Sequence, residues 1–143
     1  CISSAASDVY KRQNVHRLGL SDSILVFDQH RVFTDDFAGA FARLKAANPE
    51  KKTAVEASCE AEAREFIELG ADIVQCERFA PEALARTADF AKRLGRGTLL
   101  SAAGGVNAEN AAAYAAAGAV ILVTSWPYWG RPSDVKMTFA REA

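Results

Sequence analysis

Short apolar runs alternate with longer amphipathic stretches along most of the chain. Five runs have the length of a strand and cover residues 23–27, 53–57, 72–76, 98–102 and 120–124. Residues 135–139 are a candidate for one further strand. Because the runs are almost continuously apolar, we expect strands that are covered on both faces, as in a parallel sheet.

The stretches between these runs carry the signals of helices. Thr34 and the two aspartates after it suit a helix start, and Phe37, Phe41 and Leu44 recur at helical spacing. Later helices have predicted ends of three kinds: side-chain caps, a first-turn proline and glycine stops. These are Ser58, Asn107, Pro81, Gly70, Gly95 and Gly118.

Strands that alternate with helices of this length predict an α/β fold built from βαβ units. A complete (β/α) TIM-type barrel needs about 250 residues, whereas this chain has 143. Residues 1–13 show no periodicity, and their run SAASDVYKRQ looks like translated vector or adaptor sequence. We therefore expect a non-native leader over 1–13 and, over 14–143, the C-terminal part of a barrel whose N-terminal part is missing.

An open doubly wound sheet is the competing architecture. It has no support as a dinucleotide-binding fold, since no G-x-G-x-x-G motif follows the first run.

Composition narrows the class of protein without naming a reaction. The formal net charge is -1, which argues against a nucleic-acid-binding protein. No apolar run approaches the roughly 20 residues of a membrane span. Cys1, Cys59 and Cys76 are too widely spaced for a metal site, so we expect ordinary thiols in a reducing cytoplasm.

Two glutamates stand at the ends of neighbouring strands. Glu56 ends the second run and Glu77 follows the third. In barrel enzymes the chemistry lies at the carboxyl ends of the strands, which run about 4.8 Å apart. Glu56 and Glu77 could therefore share a Mg²⁺ ion, which takes few carboxylates and keeps several waters. The alternative is that both are solvated loop residues.

A two-glycine turn follows the fourth strand. Gly104 and Gly105 let the backbone approach a ligand closely, and the free N–H groups of a following helix favour an anion. This position favours phosphate binding, although any tight turn could use two glycines. His16 and Arg17 precede the first strand, and such a pair either grips a carboxylate or phosphate or is simply part of the surface.

Three stretches together resemble the C-terminal barrel of the quinolinate phosphoribosyltransferase (nicotinate-nucleotide pyrophosphorylase) family. They are HRLGLSDSILVFDQH, TAVEASCEAEAREFIELGADIVQCERFAPE and LLSAAGGVNAENAAAYAAAGAVILVTS. The resemblance implies that His16 and Arg17 hold the carboxylates of a pyridine substrate. It also implies that Glu56 lies near the Mg²⁺-phosphoribosyl-pyrophosphate site, with Glu77 where the family usually has aspartate.

The same resemblance assigns the phosphate-binding positions. Gly104 and Gly105 match the family's S-G-G turn for the 5′-phosphate, with Ala103 in place of the serine. Thr124, at the glycine of the last phosphate loop, and Ser125 complete this set. Phe27 stands where quinolinate enzymes carry a lysine. These departures and the closing VTSWPYWGRPSDVK resemble the ModD branch, associated with molybdenum utilisation.

The resemblance implies a pentosyltransferase that joins a ring nitrogen of a small acceptor to the anomeric carbon of phosphoribosyl pyrophosphate. Mg²⁺ would carry the departing pyrophosphate, and the protein is expected to be a homodimer or higher homo-oligomer. One alternative is a non-catalytic barrel protein that binds phosphate or another anion in molybdenum utilisation. A second alternative is a different phosphate-binding barrel enzyme, such as an isomerase or synthase.

Overall fold

The computed structural model describes residues 22–129 and 136–138, and these contain one parallel sheet of five strands. The strands are β1 (Ile24–Val26), β2 (Thr53–Ala57), β3 (Ile73–Glu77), β4 (Leu99–Ala103) and β5 (Ile121–Leu122). Each strand pairs with the next one along the chain, in the order β1-β2-β3-β4-β5.

Six helices connect or follow these strands. They are α1 (Asp28–Arg31), α2 (Phe37–Ala47), α3 (Glu60–Glu68), α4 (Pro81–Leu94), α5 (Ala111–Ala116) and α6 (Trp126–Trp129). The sequence predicted α2 to α5 but neither α1 nor α6, because a four-residue helix is too short to show a period. None of the helices in the described part of the chain is long and apolar enough to cross a bilayer.

The hydrophobic core lies between one face of the sheet and the helices. Alternate strand residues, including Val55, Val74 and Leu100, pack there against Phe66 of α3 and Leu84 of α4. A chain that winds in one direction and covers one face with helices has barrel topology, because a doubly wound sheet reverses its strand order and covers both faces. The predicted α/β barrel-type fold is confirmed, and the doubly wound alternative is wrong.

Most predicted helix ends are confirmed. The side chain of Asp36 accepts a hydrogen bond from Gly39 N at 2.9 Å, which caps α2. Pro81 occupies the first turn of α4, and Gly95 ends it with φ +68°. The predicted cap at Ser58 is wrong, since Cys59 is the N-cap residue of α3.

Other differences concern the strands and the start of α5. β1 and β5 are shorter than the predicted 23–27 and 120–124. β3 and β4 each begin and end one residue later than predicted, so Glu77 belongs to its strand. The predicted strand at 135–139 is absent over residues 136–138, and its two ends lie outside the described residues. The predicted helix cap at Asn107 is wrong, since Asn110 is the N-cap residue of α5. Asn107 Oδ1 instead accepts hydrogen bonds from Glu109 N and Asn110 N in the turn before the helix.

The amino ends of the strands are joined by Asp72. Its carboxylate accepts hydrogen bonds from Thr53 N at 2.8 Å and from Thr53 Oγ1 at 2.7 Å. Lys45 Nζ of α2 lies 3.2 Å from the other oxygen. One side chain therefore links α2, β2 and the start of β3 at the end of the sheet opposite the candidate site.

The cysteines that the structure describes are both free. Cys76 is buried in the core, and burial raises the pKa of its thiol to about 12. A thiol with such a pKa is unreactive near neutral pH. Cys59 is exposed, and Cys1 lies outside the described residues.

Candidate active site

The two predicted acidic residues lie on neighbouring strands, near their carboxyl ends. Glu56 of β2 is the register partner of Gln75, and Glu77 of β3 is the register partner of Ala103. Because side chains alternate along a strand, Glu56, Gln75 and Glu77 lie on the face that the helices do not cover.

Glu56 is half-buried and held by a neighbouring amide. Gln75 Nε2 donates a hydrogen bond to Glu56 Oε2 at 2.9 Å, and Gln75 itself is 6% exposed. Burial raises the pKa of the Glu56 carboxyl, and the charges of Glu77 and Asp28 raise it further, against the lowering effect of Gln75. The two glutamates are thus close enough for their charges to interact.

Glu77 reaches the two-glycine turn. A Cβ atom on Gly104 would overlap the Glu77 carboxylate, so the absence of a side chain at 104 allows this approach. Gly104 and Gly105 have φ values of +79° and +82°, a conformation that glycine adopts readily. Glu77 therefore lies between Glu56 and the Gly104–Gly105 turn, so the candidate metal ligands and the candidate phosphate turn form one site.

Thr124 joins the last strand end to the same turn. Its hydroxyl donates a hydrogen bond to the Val106 carbonyl and accepts one from Trp126 N at 3.0 Å. Ser125 is exposed beside it, and Ala103 is 5% exposed at the end of β4. Of the predicted phosphate-binding residues, Thr124 has its hydroxyl engaged within the protein, while Ala103 contributes no polar side-chain atom.

The second residue pair of the prediction, His16 and Arg17, lies outside the described residues. Within residues 22–129 and 136–138 there is no group of three or more histidine, cysteine, aspartate or glutamate side chains arranged to hold a metal ion. A cation bound by Glu56 and Glu77 would need oxygen ligands from water or a phosphorylated ligand as well.

A polar network beside Glu56 was not predicted. Arg31 of α1 forms ion pairs with Asp28 and with Glu62, the latter at 3.1 Å, and its guanidinium lies 5.1 Å from the centre of the Phe66 ring. The hydrogen bond from Arg31 lowers the pKa of Asp28. The only sequence signal was the polar run that follows the first strand.

Two further residues were missed, Gln75 and Arg78. Both stand next to residues that the sequence singled out, but their roles depend on strand register. Arg78 follows Glu77 and is described below.

A family model, several curated relatives and several solved structures match this chain. Residues 12–138 match the family model described as the C-terminal domain of quinolinate phosphoribosyl transferase. A Pasteurella multocida protein that is named pyrophosphorylase ModD is 33% identical over 132 residues, which cover 90% of this chain and 47% of the relative. A Rhodobacter capsulatus protein of the same name is 45% identical over 100 residues, covering 68% and 38%.

Proteins that are named nicotinate-nucleotide pyrophosphorylase are also similar to this chain. One from Archaeoglobus fulgidus, named a nicotinate-nucleotide pyrophosphorylase, is 30% identical over 105 residues, covering 72% of this chain and 40% of the relative. The solved nicotinate-nucleotide pyrophosphorylase of Francisella tularensis superposes with a TM-score of 0.60 at 27% identity, covering 75% and 36%. NadC of Streptococcus pyogenes gives 0.61 at 26% identity, covering 77% and 38%.

The chain spans less than half the length of the curated relatives it matches. The resemblance predicted from the sequence, including that to ModD proteins, is confirmed. This chain belongs to the quinolinate phosphoribosyltransferase family and matches its C-terminal domain.

Proposed function

We propose that this chain supplies the metal- and phosphate-binding part of a ModD-like pentosyltransferase. The reaction transfers a phosphoribosyl group from phosphoribosyl pyrophosphate to a ring nitrogen of a small, carboxylated acceptor. The observation that carries the proposal is the contiguity of Glu56, Glu77 and the Gly104–Gly105 turn at one edge of the sheet. Family membership supports the class of donor.

Mg²⁺ fits the residues that are present. Glu56 and Glu77 are oxygen donors whose negative charges repel each other; burial is the main cause of the raised pKa of Glu56, and the charge of Glu77 adds to it. A cation between them would relieve that repulsion, and magnesium is commonly bound by one or two carboxylates together with substrate phosphates. When bound, the ion would stabilise negative charge on the departing pyrophosphate.

The protein's own residues would position the donor. Gln75 fixes the Glu56 carboxylate through the 2.9 Å hydrogen bond, and Gly104 leaves room for Glu77 against the turn. Gly104 and Gly105 both have positive φ, and a turn of this kind can expose backbone N–H groups to a phosphate. Fixed ligands of this kind avoid reorganisation during the reaction.

The acceptor would lie near Phe27 and near His16 and Arg17, which the resemblance assigns to the carboxylates of a pyridine ring. Phe27 follows β1, and its ring centre lies 5.7 Å from that of His30. An uncharged ring at this position favours an acceptor with fewer negative charges than quinolinate carries.

Titration calorimetry with phosphoribosyl pyrophosphate, with and without Mg²⁺, tests the proposal on a protein that carries this chain within a complete barrel of the family. Glu56→Gln keeps the shape of the side chain and removes its charge. We expect it to weaken Mg²⁺-dependent binding about 10- to 100-fold while leaving the melting temperature nearly unchanged. Glu65→Gln, on an exposed position of α3, is the matched control.

Equal binding of the donor by wild type and Glu56→Gln, at every Mg²⁺ concentration, would refute the assignment. A molybdate titration in the same series tests the alternative of a non-catalytic anion-binding protein. That alternative draws on Phe27 and Ala103, which remove a cation and a hydroxyl from the family pattern. Molybdate binding without any donor binding would favour it.

A further inference from the structure

Acidic side chains outnumber basic ones at the carboxyl edge of the sheet. Asp28, Glu56 and Glu77 lie there. Within the described segments that follow the carboxyl ends of the five strands, Arg31 and Arg78 are the only arginine or lysine residues. An anionic ligand at this edge needs positive charge from the protein or from a metal ion.

Arg31 is already engaged. Its guanidinium binds Asp28 and Glu62 and lies over the Phe66 ring. The side chain of Arg78, in contrast, is 83% exposed, and its Nε lies 3.5 Å from Glu77 Oε1. Arg78 is therefore the cation in these segments that can turn toward a ligand.

The backbone at Arg78 is strained. Its φ is +55°, and no other non-glycine residue in the described ranges has a positive φ. Arg78 N donates to the Ala103 carbonyl at 2.8 Å, which extends the β3–β4 ladder. The positive φ thus lies where the chain leaves the sheet toward α4. Glycine or asparagine would adopt this conformation at lower cost than arginine.

The side chain of Arg78 packs on the candidate phosphate turn. A Cβ atom on Gly104 would lie 2.6 Å from Arg78 Cγ. Among the described residues other than its chain neighbours, no heavy atom lies within 4 Å of the position that a Cβ on Gly105 would take, so the second glycine faces open space in this part of the structure. The guanidinium is thus carried to the rim of a turn whose outer side is accessible.

We propose that Arg78 binds the phosphate or pyrophosphate group of an anionic ligand seated at the Gly104–Gly105 turn. The inference rests on the proposed function and adds a ligand-binding residue to it. The fork of N–H donors on a guanidinium matches two phosphate oxygens at once. An unfavourable backbone conformation at this residue is understandable if its side chain is needed for binding.

Two substitutions distinguish the effect of the Arg78 side chain on binding from the effect of its backbone conformation on stability. Arg78→Asn removes the charge and suits a positive φ, so we expect a higher urea midpoint together with affinity for inorganic pyrophosphate about 10- to 100-fold lower. Arg78→Gln removes the charge and keeps the strain, so the same loss of affinity is expected without a gain in stability. Arg43→Gln, on the exposed side of α2, is the control.

Calorimetry with inorganic pyrophosphate and with phosphoribosyl pyrophosphate, both with Mg²⁺, decides between the outcomes when this chain is carried within a complete barrel of the family. Affinity losses in Arg78→Asn and Arg78→Gln but not in Arg43→Gln would support the inference. Wild-type affinity in both Arg78 variants would overturn it and leave the proposed function standing. Absence of binding to the wild type would overturn the proposed function and this inference together.

Discussion

At the scale of single residues, Gly104 shows how a missing side chain positions a charged one. We expect Gly105→Ala to destabilise the protein by about 1 kcal/mol through left-handed strain alone. Gly104→Ala has similar strain and adds overlap with Glu77, so it should cost more and also weaken Mg²⁺-dependent donor binding. Urea unfolding and calorimetry on both variants measure these effects, and equal losses of stability and binding would contradict the contact.

Phe27 tests acceptor choice at the same scale. We expect the unaltered protein to use quinolinate poorly and Phe27→Lys to improve quinolinate use about tenfold, since a charge-assisted contact would be gained. Phe27→Met, which removes the ring without adding charge, is the control. Turnover assays with quinolinate measure the change, and efficient turnover by the wild type would defeat this prediction.

At the scale of elements, the two ends of the strands have different roles. Asp72 joins α2, β2 and β3 at the amino ends, away from the candidate ligands. We expect Asp72→Asn to lower the free energy of unfolding by about 1–3 kcal/mol at pH 7 without changing donor binding. Asp89→Asn, on an exposed position of α4, is the matched control.

The effect of Asp72 should depend on pH in a defined direction. Burial would raise the pKa of this carboxyl, but hydrogen bonds from Thr53 and Lys45 outweigh burial and lower the pKa below its ordinary value of 3.8. A lowered pKa in the folded state adds stability above the unfolded-state value, and that stability is lost as the pH falls. The difference between wild type and Asp72→Asn should therefore be present at pH 7 and shrink below 3.8, as urea unfolding at several pH values would show.

At the scale of the whole molecule, the sheet has an edge that invites association. In the described part of the chain, β1 pairs only with β2. Val32, Phe33 and Trp129 are 77%, 87% and 82% exposed. Unpaired strand edges and exposed apolar side chains promote association.

We therefore expect this chain, expressed alone, to be oligomeric or insoluble. Analytical ultracentrifugation with thermal melting measures this property. A monomer that melts cooperatively would contradict the prediction and would mean that the five-stranded sheet with its helices folds stably without further strands.

The sequence alone determined the type, the order and the approximate bounds of the five strands and of helices α2 to α5. Hydrophobic period, capping residues and glycine stops act between neighbours along the chain, so they could be read without the fold. They predicted β2 over 53–57 without error and the ends of α4 at Pro81 and Gly95. The same local reading placed Glu56 and Glu77 near strand ends. It failed at Ser58, where the neighbouring Cys59 is the cap.

Only the tertiary structure decided how the site is assembled. Gln75 meets Glu56 because β2 and β3 pair in one particular register. Glu77 meets Gly104 because β3 lies beside β4. Arg78 N meets the Ala103 carbonyl, and the residue takes its positive φ, where β3 lies beside β4 and the chain leaves the sheet. Each contact joins residues about 20 or more positions apart in the sequence. A shift of one residue in strand register would turn every side chain of that strand to the other face of the sheet.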